Sequence, residues 1–185
     1  YDEHFGLSDF PFSIAPNPRF VYDNPFYREA FATLCYGIEA RRGFMVVTGE
    51  VGTGKTTLLR AVMHNLESTV HTAFIFNPKL TFSQLLRSIF NDLGITESSQ
   101  DRLTLLTKLN DYLIEELKKD HVVAILIDEA QDLSDDLLEE IRLLSNLETD
   151  SGRLIQIVLM GQPELEQRLE QPHLGQLKQR VALRC

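Results

Sequence analysis

Eight residues, "GEVGTGKT" from Gly49 to Thr56, fit the spacing G-x-x-x-x-G-K-[ST], and each residue type has a use at a phosphate chain. Glycines let the backbone wrap so that successive N–H groups can point at phosphate oxygens, and a following helix would add the partial positive charge of its N-terminus. Lys55 has the length and charge to reach β- and γ-phosphates, and the Thr56 hydroxyl is a ligand for Mg²⁺. The predicted cradle is Gly49, Glu50, Val51, Gly52, Thr53, Gly54, Lys55, Thr56 and Thr57.

Hydrolysis of a bound triphosphate needs a carboxylate for the metal and a group that orients water. "AILIDEA", Ala124 to Ala130, offers both. Asp128 would hold Mg²⁺ through its water shell, and Glu129, pointing elsewhere, would polarise the attacking water as general base. Two adjacent acids can also do no more than begin a loop; the phosphate loop upstream favours the chemical reading. With it, Lys55 and Glu129 become candidate catalytic residues, Thr56 and Asp128 candidate metal ligands, and ATP with Mg²⁺ the expected nucleotide and ion.

These residues need elements to position them. Apolar residues at Phe26, Ala30, Phe31, Leu34, Cys35 and Ile38 recur at three and four, the stripe of an amphipathic helix over Phe26 to Arg41. Phe44 to Thr48 reads as a buried strand and Lys55 to Asn65 as a helix, which is the strand-loop-helix setting a phosphate loop requires. Further strands are predicted at Thr72 to Phe76, Val122 to Ile127 and Leu154 to Met160. Helices are predicted at Phe82 to Leu93, Leu103 to Lys119 and Asp135 to Leu147. Strands separated by helices imply a parallel sheet covered on both faces. Residues 1–25 carry Pro11, Pro16, Pro18 and Pro25 among aromatics, and read as an ordered arm packed on a single core domain, 26–185. Phe20 and Tyr22 of that arm, and the helix beginning at Phe26, are expected mainly to pack rather than to contact a base.

Composition excludes several classes. At 43% hydrophobic and 24% charged the chain is not disordered, and a net charge of −9 argues against direct nucleic-acid binding. Cys35 and Cys185 form neither a disulfide framework nor a zinc spacing, and His4, His64, His71, His121 and His173 do not cluster in sequence. The acidic opening "YDEHFGLSDF" lacks a signal peptide's charge, and no apolar run approaches bilayer length. A cytoplasmic location without membrane insertion by this segment is expected.

One extra strand, Thr72 to Phe76, fits between the two motif strands. With Glu129 beside Asp128, this resembles the additional-strand, catalytic-glutamate class of P-loop NTPases, and within it the AAA+ group. The phrases "HFGLSDFPFSIAPNPRFVY", "LCYGIEARRGFMVVTGEVGTGKTTLLR", "IDEAQDLSDDLLEEIRLLSNLETDSGRLIQIVLMGQPEL" and "QLKQRVALRC" together resemble the ATPase domain of the general (type II) secretion pathway protein A family, over nearly all 185 residues and most weakly around 77–120. The resemblance implies a three-layer α/β fold with five parallel strands in the order 5-1-4-3-2. In it Phe44 to Thr48 lies between Leu154 to Met160 and Val181 to Leu183. It implies an ATPase that helps assemble a secretion channel, on the cytosolic side of an inner membrane, self-associating and engaging a membrane protein of the apparatus. The same core is similar to DNA-binding target-selection ATPases of transposons, an alternative beside a nucleotide-gated scaffold without useful hydrolysis.

Two further positions follow from the AAA+ likeness. Gln162, after the strand "LIQIVLM" and Gly161, stands where a polar side chain contacts the γ-phosphate or lytic water; otherwise it caps the next helix. Arg180, ahead of the last strand, stands where an arginine reaches a neighbouring subunit's nucleotide; Arg168 and Arg184 compete, and a solvated arginine is the plain alternative. The helical lid that follows the last strand in AAA+ proteins is expected to be absent from these residues, and hydrolysis by the fragment to be weak.

Overall fold

The computed structural model describes residues 25–76, 79–150 and 152–185. The arm expected over 1–25 therefore lies outside the described residues, except for Pro25, which opens the first described helix.

Five parallel strands form the central sheet: β1 (Phe44–Thr48), β2 (Val70–Ile75), β3 (Val122–Ile127), β6 (Gln156–Gly161) and β7 (Val181–Arg184). Between β3 and β6 the chain makes a two-residue antiparallel pair, β4 (Glu148–Thr149) with β5 (Gly152–Arg153). The sheet order is β2-β3-β6-β1-β7. Counting only the five strands of the large sheet, this is the expected 5-1-4-3-2 read from the other edge; the labels differ because the small hairpin, which sequence reading did not anticipate, takes two numbers. Strand β3, which leads into Asp128, is separated from β1 by β6, as the additional-strand class requires.

Strand alternation divides the interior into two halves. On β1, Phe44 and Val46 point to one face and Met45 and Val47 to the other; β3 and β6 alternate likewise. One half packs against α1 (Pro25–Glu39) and α2 (Lys55–Asn65) through Leu34, Ile38, Leu59 and Val62. The other packs against α3 (Phe82–Leu93), α4 (Arg102–Lys118), α5 (Asp135–Leu144), α6 (Pro163–Leu169) and α7 (Gly175–Arg180). All six residues of β3, "VVAILI", are buried, which explains why its sequence shows no alternation of polarity.

Local chemistry sets the helix ends. Thr81 and Gln84 form a reciprocal capping box at the start of α3, and Gly94 ends it in the left-handed region at φ 69°. Ser134 caps α5 through the Leu137 N–H at 3.2 Å. That helix stops at Leu144, short of the expected Leu147, because the chain must turn there: the Leu147 carbonyl accepts from Leu154 across the β4–β5 hairpin at 2.9 Å. Strand β6 begins at Gln156 rather than Leu154 and is started by a buried side chain, with Gln156 Oε1 accepting the Gly43 N–H at 2.6 Å. No helix among the described residues is long and apolar enough to cross a membrane.

Candidate nucleotide site

The phosphate loop leaves β1 at Thr48 and enters α2 at Lys55. Gly52 and Gly54 have φ of 82° and 85°, where a residue with a side chain is strained. A Cβ at either would meet nothing within 4 Å, so backbone shape rather than crowding demands glycine. The Gly49 N–H donates to the Gly161 carbonyl at 3.1 Å, and that of Thr53 to the Glu50 carbonyl at 3.3 Å. The first helical bond of α2 runs from Leu58 N–H to Gly54 O at 2.8 Å, so the preceding amides of Lys55, Thr56 and Thr57 have no acceptor within the helix and remain for an anion. The Lys55 ammonium donates to the carbonyls of Gly49 at 2.7 Å and Glu50 at 2.8 Å.

Residues 72 apart in sequence meet at the loop's inner side: Thr56 Oγ1 donates to Asp128 Oδ2 at 2.5 Å. Asp128 is fully buried where β3 ends, and its other oxygen accepts the Glu129 N–H at 2.9 Å. A hydroxyl and a carboxylate are hard oxygen donors, so their juxtaposition fits Mg²⁺, which takes oxygens and keeps several waters.

Glu129 occupies the left-handed region, φ 50° and ψ 39°, uncommon for a residue with a side chain. Its N–H is fixed on Asp128, and its carbonyl accepts from Asp132 N–H at 2.9 Å, closing the short 3-10 turn Ala130–Asp132. Its carboxylate is held as well, with Gln131 Nε2 donating to Glu129 Oε2 at 2.6 Å. Gln131 Oε1 accepts the Gln162 N–H at 3.0 Å. The amide orientation is forced, because a carboxylate accepts and an N–H donates. A Cβ at Gly161 would fall 2.8 Å from Gln131 Oε1, so glycine there lets the 3-10 turn approach β6.

Gln131, which the sequence does not single out, makes a testable bridge between Glu129 and Gln162. In Gln131→Ala protein the carboxylate of Glu129 loses a charge-assisted hydrogen bond of about 1.5–3 kcal/mol. ATP turnover is expected to fall roughly ten- to hundredfold with nucleotide affinity unchanged, measured by steady-state phosphate release beside equilibrium binding. Undiminished turnover would mean that the backbone alone positions Glu129.

The remaining candidates separate cleanly. Gln162 is the N-cap residue of α6, but its side chain makes no capping bond; it lines a cleft of about 240 Å³ with Lys55, Thr56 and Glu129. Arg168 is committed within its own chain, donating to the carbonyls of Gln131 at 2.8 Å and Leu133 at 2.7 Å and pairing with Asp135. Hydrogen bonds from Arg168 and then His173 hold the Asp135 carboxyl below its usual range. Arg184 faces Glu166 at 3.6 Å and Glu170 at 3.5 Å, and lines a second cleft of about 530 Å³ beside its own phosphate loop. The side chain of Arg180 makes no hydrogen bond or ion pair among the described residues. It precedes Val181, which pairs with Phe44 at the start of β1, so it lies about 13 Å along the strands from the loop at Thr48.

Phe26, Ala30 and Thr33 of α1 and Leu58 of α2 line the larger cleft, while Gly54 and Lys55 line both clefts. A base beside α1 and phosphates at α2 would thus be continuous. The helix at Phe26, expected mainly to pack, contributes to this wall; Phe20 and Tyr22 lie outside the described residues. The dispersed histidines are not all dispersed in space either, since His71 and His121 meet at the opposite end of the sheet.

Comparison with known proteins places this geometry. Residues 38–169 match the family model described as AAA domain. The whole chain is 45% identical to "General secretion pathway protein A" of Aeromonas hydrophila, of which it spans 34%. In solved structures, the fold resembles the ORC2 protein of Aeropyrum pernix, in its ADPNP-ADP complexes, at a TM-score of 0.66 and 16% identity over 89% of this chain and 48% of that one. It also resembles CDC6P of Pyrobaculum aerophilum, at 0.63 and 22% over 90% and 47%.

Proposed function

The chain belongs to the AAA domain family, and from that premise we propose that it binds ATP with Mg²⁺ and hydrolyses it, as the motor domain of a protein that assembles a secretion apparatus. The observation that carries the ATPase reading is the 2.5 Å contact of Thr56 with Asp128, with Glu129 clamped in a left-handed conformation beside it. The chain spans about a third of the secretion relative's length, and the 45% identity supports extending that relative's role to this protein. Its partners in this reading are further copies of itself and a membrane protein of the apparatus, met from the cytoplasmic side.

The residues divide the work. The first-turn amides of α2 hold phosphate oxygens with the helix dipole behind them. Lys55 exchanges the carbonyls of Gly49 and Glu50 for the β- and γ-phosphates. Thr56 and Asp128 are the groups that would hold Mg²⁺, which when bound neutralises charge on the phosphates. Glu129 takes a proton from the attacking water, Gln131 fixes its carboxylate, and Gln162 faces the same cleft from β6.

Lys55→Ala tests this directly. It removes a charge-assisted contact of about 1.5–3 kcal/mol, so affinity for a fluorescent ATP analogue is expected to weaken roughly ten- to hundredfold. Equal binding by Lys55→Ala and parent proteins would overturn the site.

A further inference from the structure

At the end of the sheet remote from the phosphate loop, three side chains from three elements turn their donor atoms on one point. His71 is the second residue of β2, the edge strand; Glu116 lies in the last turn of α4; His121 immediately precedes β3. His71 Nε2 and His121 Nδ1 are 3.1 Å apart, and Glu116 Oε2 is 2.7 Å from the second and 3.2 Å from the first. The chain is built to hold them so. Asp120 adopts φ 60° and reverses the chain after α4, the His121 N–H returns to the Glu116 carbonyl at 2.9 Å, and the parallel register of β2 with β3 brings His71 alongside.

Two ring nitrogens and a carboxylate oxygen converge here, and protons serve the triangle badly. A proton on either ring can satisfy Glu116, but protons on both facing nitrogens set two donors against each other at 3.1 Å. A divalent cation accepts from all three at once. In a tetrahedral zinc site with bonds of about 2.0–2.1 Å, ligand atoms stand about 3.3 Å apart, so the 3.2 Å pair already fits and the 2.7 Å pair must open by roughly half an ångström. Glu116 is buried, which is unusual for a glutamate without partners to hold it. Lys119 engages only Oε1, at 2.7 Å, so Oε2 is left for the imidazoles or an ion. Both histidines are partly exposed, so water can supply a fourth ligand.

We propose that His71, Glu116 and His121 form a binding site for a divalent transition-metal ion of the zinc class, fastening the edge strand β2 to the end of α4 and the start of β3. Two imidazoles favour such an ion over Mg²⁺, which prefers oxygen. The site is separate from the nucleotide site, since about six residues of β3, roughly 20 Å of strand, lie between His121 and Asp128, and it does not depend on nucleotide being bound.

The test uses chelator-treated, untagged protein without nucleotide. Titration with Co²⁺ is expected to give one equivalent with the intense visible bands of four-coordinate cobalt, which the all-oxygen Thr56 and Asp128 pair cannot produce. Zn²⁺ should displace the cobalt, and at about a hundredfold over its dissociation constant should raise the unfolding midpoint by about 5–10 °C, reversibly with chelator. The bands should be lost in His71→Asn and His121→Asn proteins that still bind a fluorescent nucleotide. In the parent protein, Co²⁺ should broaden the ring resonances of His71 and His121. No stoichiometric binding, bands retained in both variants, or broadening centred on His64 or His173 would each overturn the assignment.

Discussion

Glu129→Gln protein will bind ATP as the parent does and lose turnover by about a hundred- to ten-thousandfold, the usual worth of a positioned general base. The substitution is nearly isosteric, and the structure says which contacts survive it. The left-handed backbone at residue 129 is held by its N–H on Asp128 and by its carbonyl's bond from Asp132, neither of which involves the side chain. An amide oxygen can still accept from Gln131 Nε2. Lys55, Thr56 and Asp128 are untouched, so the contacts to phosphate and metal persist. What disappears is the capacity to take a proton from water. Single-turnover phosphate release and equilibrium nucleotide binding on the same protein separate the two effects; turnover near the parent's would remove Glu129 from the chemistry, and a parallel loss of binding would make it a structural support of the loop.

Much of this site is legible in the sequence because its parts are local. Gly52 and Gly54 stand where the backbone needs φ near 80°, between a five-residue strand and a helix, and all three features can be read within twenty residues. The 5-1-4-3-2 order follows from the family likeness of four phrases and not from any local pattern. Features that depend on how distant segments meet were not legible. Gln131 gains its role only when Glu129 turns left-handed, the 3-10 turn folds back and Gly161 leaves room, and none of these has a periodic signature. The pair His71 and His121, fifty positions apart, follows from the register of β2 against β3, which a sequence does not state. His71 also obscured the start of β2, which runs Val70–Ile75 rather than Thr72–Phe76, because a polar residue breaks an apolar pattern.

Arg180 is expected to act in a neighbouring copy, and its removal to cost about a thousandfold or more in hydrolysis, the scale of an arginine supplied in trans. The structure narrows the choice among three arginines. Arg168 is fastened to the turn behind Glu129, and Arg184 stands beside its own cleft facing Glu166 and Glu170. Arg180 alone of these makes no side-chain bond among the described residues, and its position at the end of α7, just ahead of β7, puts it beyond reach of its own phosphate loop. A guanidinium without a partner among the described residues, at the far end of the strands from its own nucleotide, can meet a phosphate only across a head-to-tail contact between copies. Parent activity should then rise faster than linearly with protein concentration, and Arg180→Ala should lack that rise while binding ATP normally. Mixing decides the geometry. Arg180→Ala protein keeps an intact hydrolytic site and Glu129→Gln protein keeps an intact arginine, so an equal mixture assembling at random should regain about a quarter of the parent's activity. An Arg180→Ala protein as active as the parent at every concentration, or a mixture no more active than its components, would exclude Arg180 as the shared residue.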